Sequence, residues 1–198
     1  MGYANFPELR LALKQQLQKR ANLIKQPKDD LSLEETYFPA DFDEKIYQLI
    51  EILDQSNFIH CLGNGASGIM AQYAQQRFSS LGYRSISSLS NFIPYLSTKN
   101  EKRDVPINEV CLLFSVSGET NEVVHLAQAL KETGIYSVSI TNKENNTLAN
   151  LCDFSLSYDA PSNRHSQAMD MSSQLPVVYI IEALANRLYL KTYSKSSE

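Results

Sequence analysis

The sequence contains no run of roughly 18 to 20 apolar residues, the length that a membrane span needs, and its N-terminus lacks the apolar core of a signal peptide. Its composition is ordinary for a soluble globular protein, with 43% hydrophobic and 20% charged residues among 198. A chain of this length can bury a sizeable hydrophobic core and does not need disulfide bonds to stabilise it. We therefore expect a cytoplasmic protein with no membrane partner.

Cysteine is also scarce. The three cysteines, Cys61, Cys111 and Cys152, are far apart in the sequence, and each sits in or beside an apolar run. No CxxC pair occurs, and no histidine stands near them at a spacing typical of metal ligands. We expect buried structural thiols, and neither a metal nor a cofactor.

Positive charge is concentrated near the N-terminus. Residues 8–25 carry five basic side chains and one acidic side chain, which leaves 13 basic and 21 acidic residues for the rest of the chain. The rest of the chain is therefore acidic, and an acidic protein surface binds nucleic acid poorly. Any contact with DNA is therefore expected at or before the N-terminal segment.

The first 55 residues divide into a helix, a linker and a second helix. Asn5 and Glu8 resemble a capping box, and the leucines behind them recur every four residues, which predicts a helix over about 6–26. Residues 27–40 contain two prolines, several charges and little periodicity, which indicates a linker. Apolar residues with a 3.6-residue period predict a helix over 41–55.

Beyond this point, short apolar runs alternate with amphipathic helical patterns at about 66–81 and 120–133. Five runs are predicted to be strands: 58–62, 84–89, 109–114, 136–140 and 153–157. Because each parallel step needs a crossover, the alternation predicts a doubly wound, three-layer α/β/α domain with a five-stranded parallel sheet.

Three further segments complete the pattern. Only a short helix is expected near 91–97, and a polar loop covers 159–167. A final helix runs to about Tyr189 and contains Pro176, so it either kinks there or starts just before that proline. The tail, 191–198, is polar and expected to be flexible.

Two of the predicted strands end in small polar loops. The first loop is 63–68, GNGASG, and the second loop is 115–120, SVSGET; each leads into a predicted helix. Ligands of open α/β sheets bind at the carboxyl ends of strands. Backbone amides and a positive helix end favour an anion there. In the second loop the hydroxyls add donors and the glycine allows close approach; the residues concerned are Ser115, Ser117, Gly118 and Thr120. The two loops together predict a phosphate cradle.

The two loops also fit other interpretations. A turn rich in serine and threonine can serve as a helix N-cap and bind no ligand. For Ser117 or Thr120 alone that alternative stays open. The first loop, GNGASG, fits the dinucleotide-binding pattern GxGxxG with a serine before its last glycine, but no acidic residue closes the second strand to hold a ribose. No Walker lysine follows a glycine run, so a nucleoside triphosphate is not expected.

The motifs GNGAS at 63–67 and SVSGET at 115–120, with ITN at 140–142, resemble those of the sugar isomerase (SIS) domain. Within that superfamily, the chain is most similar to the ligand-binding half of RpiR-type transcriptional regulators, which sense phosphosugars. The resemblance covers about 41–190 and implies a flavodoxin-like strand order. It extends to GYANFPELRLALKQQL, which resembles the end of the helix-turn-helix domain of those regulators.

The resemblance implies the phosphosugar-binding effector domain of such a regulator, in a homodimer or tetramer. Met1 would then start inside a longer protein, and DNA would be bound only through the missing N-terminal domain. The resemblance assigns phosphate contacts to Ser115, Ser117, Gly118 and Thr120. It assigns sugar contacts to Asn64, Gly65, Ser67 and His165. Arg164, beside the last of these, either neutralises a phosphate or caps a surface.

The alternative is a free-standing sugar-phosphate aldose-ketose isomerase of the same superfamily. Such an enzyme needs a base within hydrogen-bond reach of the proton that it moves, and Glu119 and His165 are the candidates. Some isomerases of this fold carry a lysine in the first loop where this chain has Ala66, so a regulator with no catalytic residue is the favoured function. His60 and His125 are expected to be structural.

Overall fold

The computed structural model describes residues 33–88, 108–164 and 170–194. The helices predicted at 6–26 and 91–97, and the candidate residue His165, lie outside these ranges. Among the described helices, none is long and apolar enough to cross a membrane.

The described strands form one five-stranded sheet in which all neighbours run parallel. The strands are β1 (Phe58–Gly63), β2 (Ser85–Ser88), β3 (Glu109–Phe114), β4 (Tyr136–Asn142) and β5 (Phe154–Tyr158). Their order is β2-β1-β3-β4-β5, so the direction of winding reverses between β1 and β3. This confirms the predicted doubly wound sheet and its flavodoxin-like order.

Five described helices surround the sheet. They are α1 (Phe42–Asp54), α2 (Gly65–Ser80), α3 (Asn121–Leu130), α4 (Thr147–Leu151) and α5 (Leu175–Ser194). The sequence pattern did not predict α4, because five residues are too few to show a helical period.

The last helix resolves the alternative left open at Pro176. α5 begins at Leu175, so the proline lies in the first turn, where a missing N–H costs no intrahelical bond. The predicted end near Tyr189 is too early, since α5 continues to Ser194. Lys191 lies 2.6 Å from a carboxylate oxygen of Glu51 and 3.0 Å from one of Asp54, which fastens this last part of α5 to α1.

The sheet is buried on both faces. Helices α1, α2 and α5 cover one face, and α3 and α4 cover the other. Strand β3 shows why its sequence is apolar throughout: Leu112 and Phe114 belong to the first layer of the core, and Leu113 belongs to the second. A strand between two helical layers needs apolar side chains in both directions.

The last part of the predicted linker contacts the domain. A 3₁₀ turn spans Glu35–Tyr37, and Tyr37 and Phe38 pack against the core. The N–H of Asp159, just after β5, donates to the carbonyl of Tyr37 at 2.7 Å. The described residues from Leu33 onward therefore form part of the same compact unit as the sheet.

The cysteines and two of the histidines have no place in the candidate site. Cys61 and Cys111 are buried, and Cys152 is partly buried; burial raises the pKa of Cys152 to about 11. His60 is buried in β1 and its Nε2 lies 2.8 Å from Glu109 of β3, whereas His125 is exposed on α3. The expected burial of Cys61 and Cys111 is confirmed, whereas the structural roles expected for His60 and His125 stay predictions.

Candidate functional site

The first and second loops meet at the point where the winding of the sheet reverses. Gly63, the last residue of β1, is the register partner of Phe114, the last residue of β3. Each strand leads through its loop into a helix, α2 after the first and α3 after the second. The fold thus brings together the two polar segments that the sequence separates by about fifty residues.

Close approach of backbone explains the glycine that opens the first loop. A Cβ on Gly63 would lie 2.7 Å from the carbonyl oxygen of Ser67 and 2.9 Å from that of Phe114. Only glycine lets the first turn of α2 pack this tightly against the end of β3. Gly63 was not among the predicted site residues, although a glycine at the end of a strand, in a GxG pattern, is a signal that could have marked it.

The other residues of the first loop are partly buried or exposed, except Gly68. Asn64 is the N-cap residue of α2, and its carbonyl accepts from the N–H of Gly68 at 3.2 Å, but its side chain makes no capping bond. Gly65 has a φ of +56° and is exposed. Asn64 and Ser67 are both partly buried.

Hydrogen bonds of the hydroxyl groups connect different parts of the second loop. The Oγ of buried Ser115 lies 3.1 Å from the Oγ1 of Thr120, so the two ends of the loop are joined. The Oγ of Ser117 accepts from the N–H of Glu119 at 3.2 Å. The loop is therefore held in one shape by the side chains that were predicted to bind phosphate.

Gly118 points its amide into the loop. Its N–H donates to both the carbonyl oxygen and the Oγ of Ser115, each at 3.2 Å. Its φ is +66°, and a Cβ there would overlap the side chain of Asn146. In this conformation the amide of Gly118 is already engaged, so its predicted contact with phosphate stays a prediction.

The N-terminus of α3 supplies further donors. Thr120 is the N-cap residue, with no capping bond from its side chain. The first N–H groups of a helix lack intrahelical acceptors and carry partial positive charge. Neither loop contains a lysine or arginine. An anion at this point would be bound by hydroxyls, amides and the helix end.

Glu119 faces away from this cluster, toward the start of α4. One carboxylate oxygen accepts from the N–H of Thr147 at 2.8 Å, and the other accepts from its Oγ1 at 2.7 Å. Both hydrogen bonds lower the pKa of the Glu119 carboxyl below its ordinary value, and the bond from the backbone N–H of Thr147 has the larger effect. A carboxylate engaged in this way is a weak base.

Two buried asparagines behind the second loop were missed by the sequence analysis. Asn146 caps α4 by accepting from the N–H of Ala149 at 2.8 Å, and it donates to Thr141 Oγ1 at 3.0 Å and to the carbonyl of Lys143 at 2.9 Å. An asparagine just before an apolar run is an N-cap signal, which could have found it. For Asn142, the only signal was its place at the end of the ITN motif.

Asn142 connects the second loop with the segment after β5. Its backbone N–H donates to the carbonyl of Val116 at 3.0 Å, and its side chain bonds to both backbone groups of Ala160. Further along, Arg164 forms an isolated antiparallel bridge with Asp170. The N–H of Asn163 donates to the Oγ of Ser172 at 3.0 Å. Hydrogen bonding therefore joins the described residues on either side of 165–169.

The chain matches the SIS domain over residues 52–187 and belongs to that family. It is 29% identical over 154 residues to the uncharacterized HTH-type transcriptional regulator YbbH of Bacillus subtilis, an alignment that covers 77% of this chain and 52% of that protein. The chain spans about half the length of three such HTH-type relatives, with 52%, 57% and 52% of each covered.

Solved structures share the fold. The Vibrio vulnificus NanR protein, complexed with ManNAc-6P, has a TM-score of 0.69 and 24% identity, covering 98% of this chain and 72% of that one. The sugar isomerase domain of an RpiR transcription factor from Sphaerobacter thermophilus has a TM-score of 0.62 and 17% identity, covering 89% and 90%. The predicted membership of the SIS family is confirmed, the chain's similarity to HTH-type transcriptional regulators is shown by the sequence relatives, and the SIS domain of an RpiR transcription factor shares its fold.

Proposed function

We propose that this chain is the phosphosugar-binding effector domain of a bacterial RpiR-type transcriptional regulator. The observation that carries the proposal is the meeting of the first and second loops at Gly63 and Phe114, where hydroxyls and a helix N-terminus converge. Such a point favours an anion. The similarity to HTH-type regulators, and a structural neighbour complexed with ManNAc-6P, support a sugar phosphate as that anion.

Within this proposal the second loop binds the phosphate and the first loop faces the sugar. The phosphate contacts are Ser115, Ser117, Gly118 and Thr120, and the sugar contacts are Asn64, Gly65, Ser67 and His165. Because Ser115 is buried and bonded to Thr120, its contribution is mainly to orient that hydroxyl. The hydroxyl of Ser117 and the first amides of α3 are the most direct donors.

The rest of the regulator is also part of the proposal. Residues 1–26 are the end of a helix-turn-helix domain, and 27–40 are the linker, whose residues Tyr37 and Phe38 pack on the effector domain. Residues 41–190, together with the end of α5 up to Ser194, form the effector domain in a cytoplasmic homodimer or tetramer. A ligand that binds one quaternary arrangement better than another shifts the population between them. DNA is bound through the helix-turn-helix domain and not by the acidic effector domain.

The test is a thermal-shift screen of the chain against hexose, amino-sugar, pentose and heptulose phosphates, with each hit followed by NMR. A ligand that binds the native state raises the unfolding midpoint in a concentration-dependent way. We expect at least one sugar phosphate to do so and to stay chemically unchanged. Stabilisation by none of them would contradict the proposal, and conversion of a hit to its isomer would establish the isomerase alternative.

A further inference from the structure

We propose that Glu119 is a positioning residue that holds the second loop in its binding conformation through the first turn of α4. The inference rests on the proposed function, because the second loop is taken to bind the phosphate. It differs from the alternative in which Glu119 is the base of an isomerase, since here the carboxylate acts only on the loop.

The first support is the engagement of both carboxylate oxygens by one residue. Glu119 accepts from the N–H and from the Oγ1 of Thr147, at 2.8 Å and 2.7 Å. Hydrogen bonds to a charged group are stronger than neutral ones. An exposed glutamate otherwise samples several rotamers, so two bonds to a single partner fix both the side chain and the backbone that carries it.

The second support is a parallel set of contacts from the neighbouring residue. The carbonyl of Gly118 accepts from the N–H of Leu148 at 3.0 Å. Gly118 also packs directly on the side chain of Asn146, which is itself anchored to Thr141 and to the backbone of Lys143. Two consecutive loop residues are therefore joined to the start of α4, and the carboxylate provides the only charged link among these contacts of the described residues.

Electrostatics and positioning predict opposite results for the loss of this carboxylate. Glu119 and Glu122 are both acidic residues at the N-terminus of α3, and neither the first nor the second loop contains a cation. If charge alone mattered, removing either carboxylate would strengthen the binding of an anion. If Glu119 positions the loop, its removal weakens binding, whereas removal of Glu122 does not.

The amide variant separates positioning from catalysis. In Glu119→Gln, the side-chain oxygen still accepts from the N–H of Thr147, and the amide group can donate to its hydroxyl. The link to α4 is thus kept while the base is lost. A general base would lose its function in this variant as completely as in Glu119→Ala.

The experiment measures binding of inorganic phosphate to the whole chain by NMR titration of backbone amides. We expect Glu119→Ala to raise the phosphate Kd about fivefold or more, as loss of charged hydrogen bonds would. Glu119→Gln should stay within about twofold of the unsubstituted chain, since its hydrogen bonds are retained. Glu122→Ala is the matched control for loss of one negative charge, and its Kd should be unchanged or lower.

A second readout needs no ligand. Hydrogen exchange of the Thr147 and Leu148 amides should be faster in Glu119→Ala than in Glu119→Gln, because the first variant breaks the link and the second keeps it. If the unsubstituted chain binds neither phosphate nor any sugar phosphate, the proposed function fails, but this readout still decides whether the link exists. Unchanged exchange in Glu119→Ala would overturn the inference.

Two results of the titration would also overturn it. One is a Glu119→Ala variant that binds phosphate as tightly as the unsubstituted chain, or more tightly. The other is a Glu119→Gln variant that is as weak as Glu119→Ala. Thr147→Val provides an independent check: combined with Glu119→Ala, it should add little further loss of affinity, because both changes break the same contact.

Discussion

The side chain of Asn142 holds the backbone of Ala160 by two hydrogen bonds, accepting from its N–H at 3.0 Å and donating to its carbonyl at 2.9 Å. The backbone N–H of the same asparagine donates to Val116 in the second loop. One residue at the end of β4 therefore holds both the second loop and the segment that follows β5.

Asn142→Ala should lower the free energy of unfolding by about 1 to 3 kcal/mol, because it leaves both backbone groups of Ala160 without their partner. Urea denaturation measures the loss. The matched control is Asn150→Ala, at an exposed position of α4, which should change stability by less than about 0.5 kcal/mol. Equal losses in the two variants would show that the Ala160 contact contributes nothing.

Gly118→Ala should be more destabilising than Gly134→Ala. Both glycines have positive φ, +66° and +76°, so both substitutions incur the cost of a left-handed backbone. A Cβ on Gly134 meets nothing within 4 Å, whereas one on Gly118 overlaps Asn146. Overpacking of this kind costs a further 1 to 3 kcal/mol, roughly. Thermal or urea unfolding of the pair isolates the overlap, and indistinguishable variants would contradict the packing of the loop on Asn146.

Ser117→Ala should weaken binding of the sugar phosphate identified in the screen by roughly 1.5 to 3 kcal/mol, the typical worth of a hydrogen bond to a charged group. Isothermal titration calorimetry measures the change. Ser80→Ala serves as the control, because Ser80 lies at the far end of α2 and its hydroxyl donates to the carbonyl of Gln76. Unchanged affinity in Ser117→Ala would remove this hydroxyl from the proposed phosphate contacts.

The link between Glu119 and Thr147 should be insensitive to pH until the solution is distinctly acidic. Hydrogen bonds from Thr147 lower the pKa of the Glu119 carboxyl in the folded chain. A depressed folded pKa stabilises the fold fully above the ordinary value of about 4.3, and this contribution is lost as the pH falls through the folded pKa.

NMR can follow this titration at the Thr147 amide. Its chemical shift should stay constant from neutral pH down to about pH 5 and change only below the ordinary glutamate pKa of about 4.3. The same signal in Glu119→Gln should show no such step, because the amide does not titrate. A midpoint above the ordinary value would mean that the carboxyl is protonated more easily than its contacts with Thr147 allow.

The sheet and its two loops could be predicted because their signals are local. The apolar run of β3 alternates between two layers of the core, and the small polar residues that end it are adjacent in the sequence. The failure to predict α4 also has a physical reason. Helix α4 is a single short turn stabilised by the side chain of Asn146, so its sequence contains no periodic pattern that would predict a helix.

The partners of Glu119 and Asn142 could not be read from the sequence, since each lies far along the chain. Glu119 meets Thr147, 28 residues away, and Asn142 meets Ala160, 18 residues away. A glutamate within a polar loop gives no sign of whether it faces a ligand or another loop. That choice depends on which strands become neighbours.

The sequence by itself determined the alternation of strands and helices, the apolar layers and the two loops that favour an anion, because each follows from the order of side chains along the chain. Only the tertiary structure decided that the two loops meet, that the amide of Gly118 points inward and that Glu119 bonds to α4. Those outcomes depend on strand register and on the close approach of backbone segments, which arise when distant parts of the chain share one sheet.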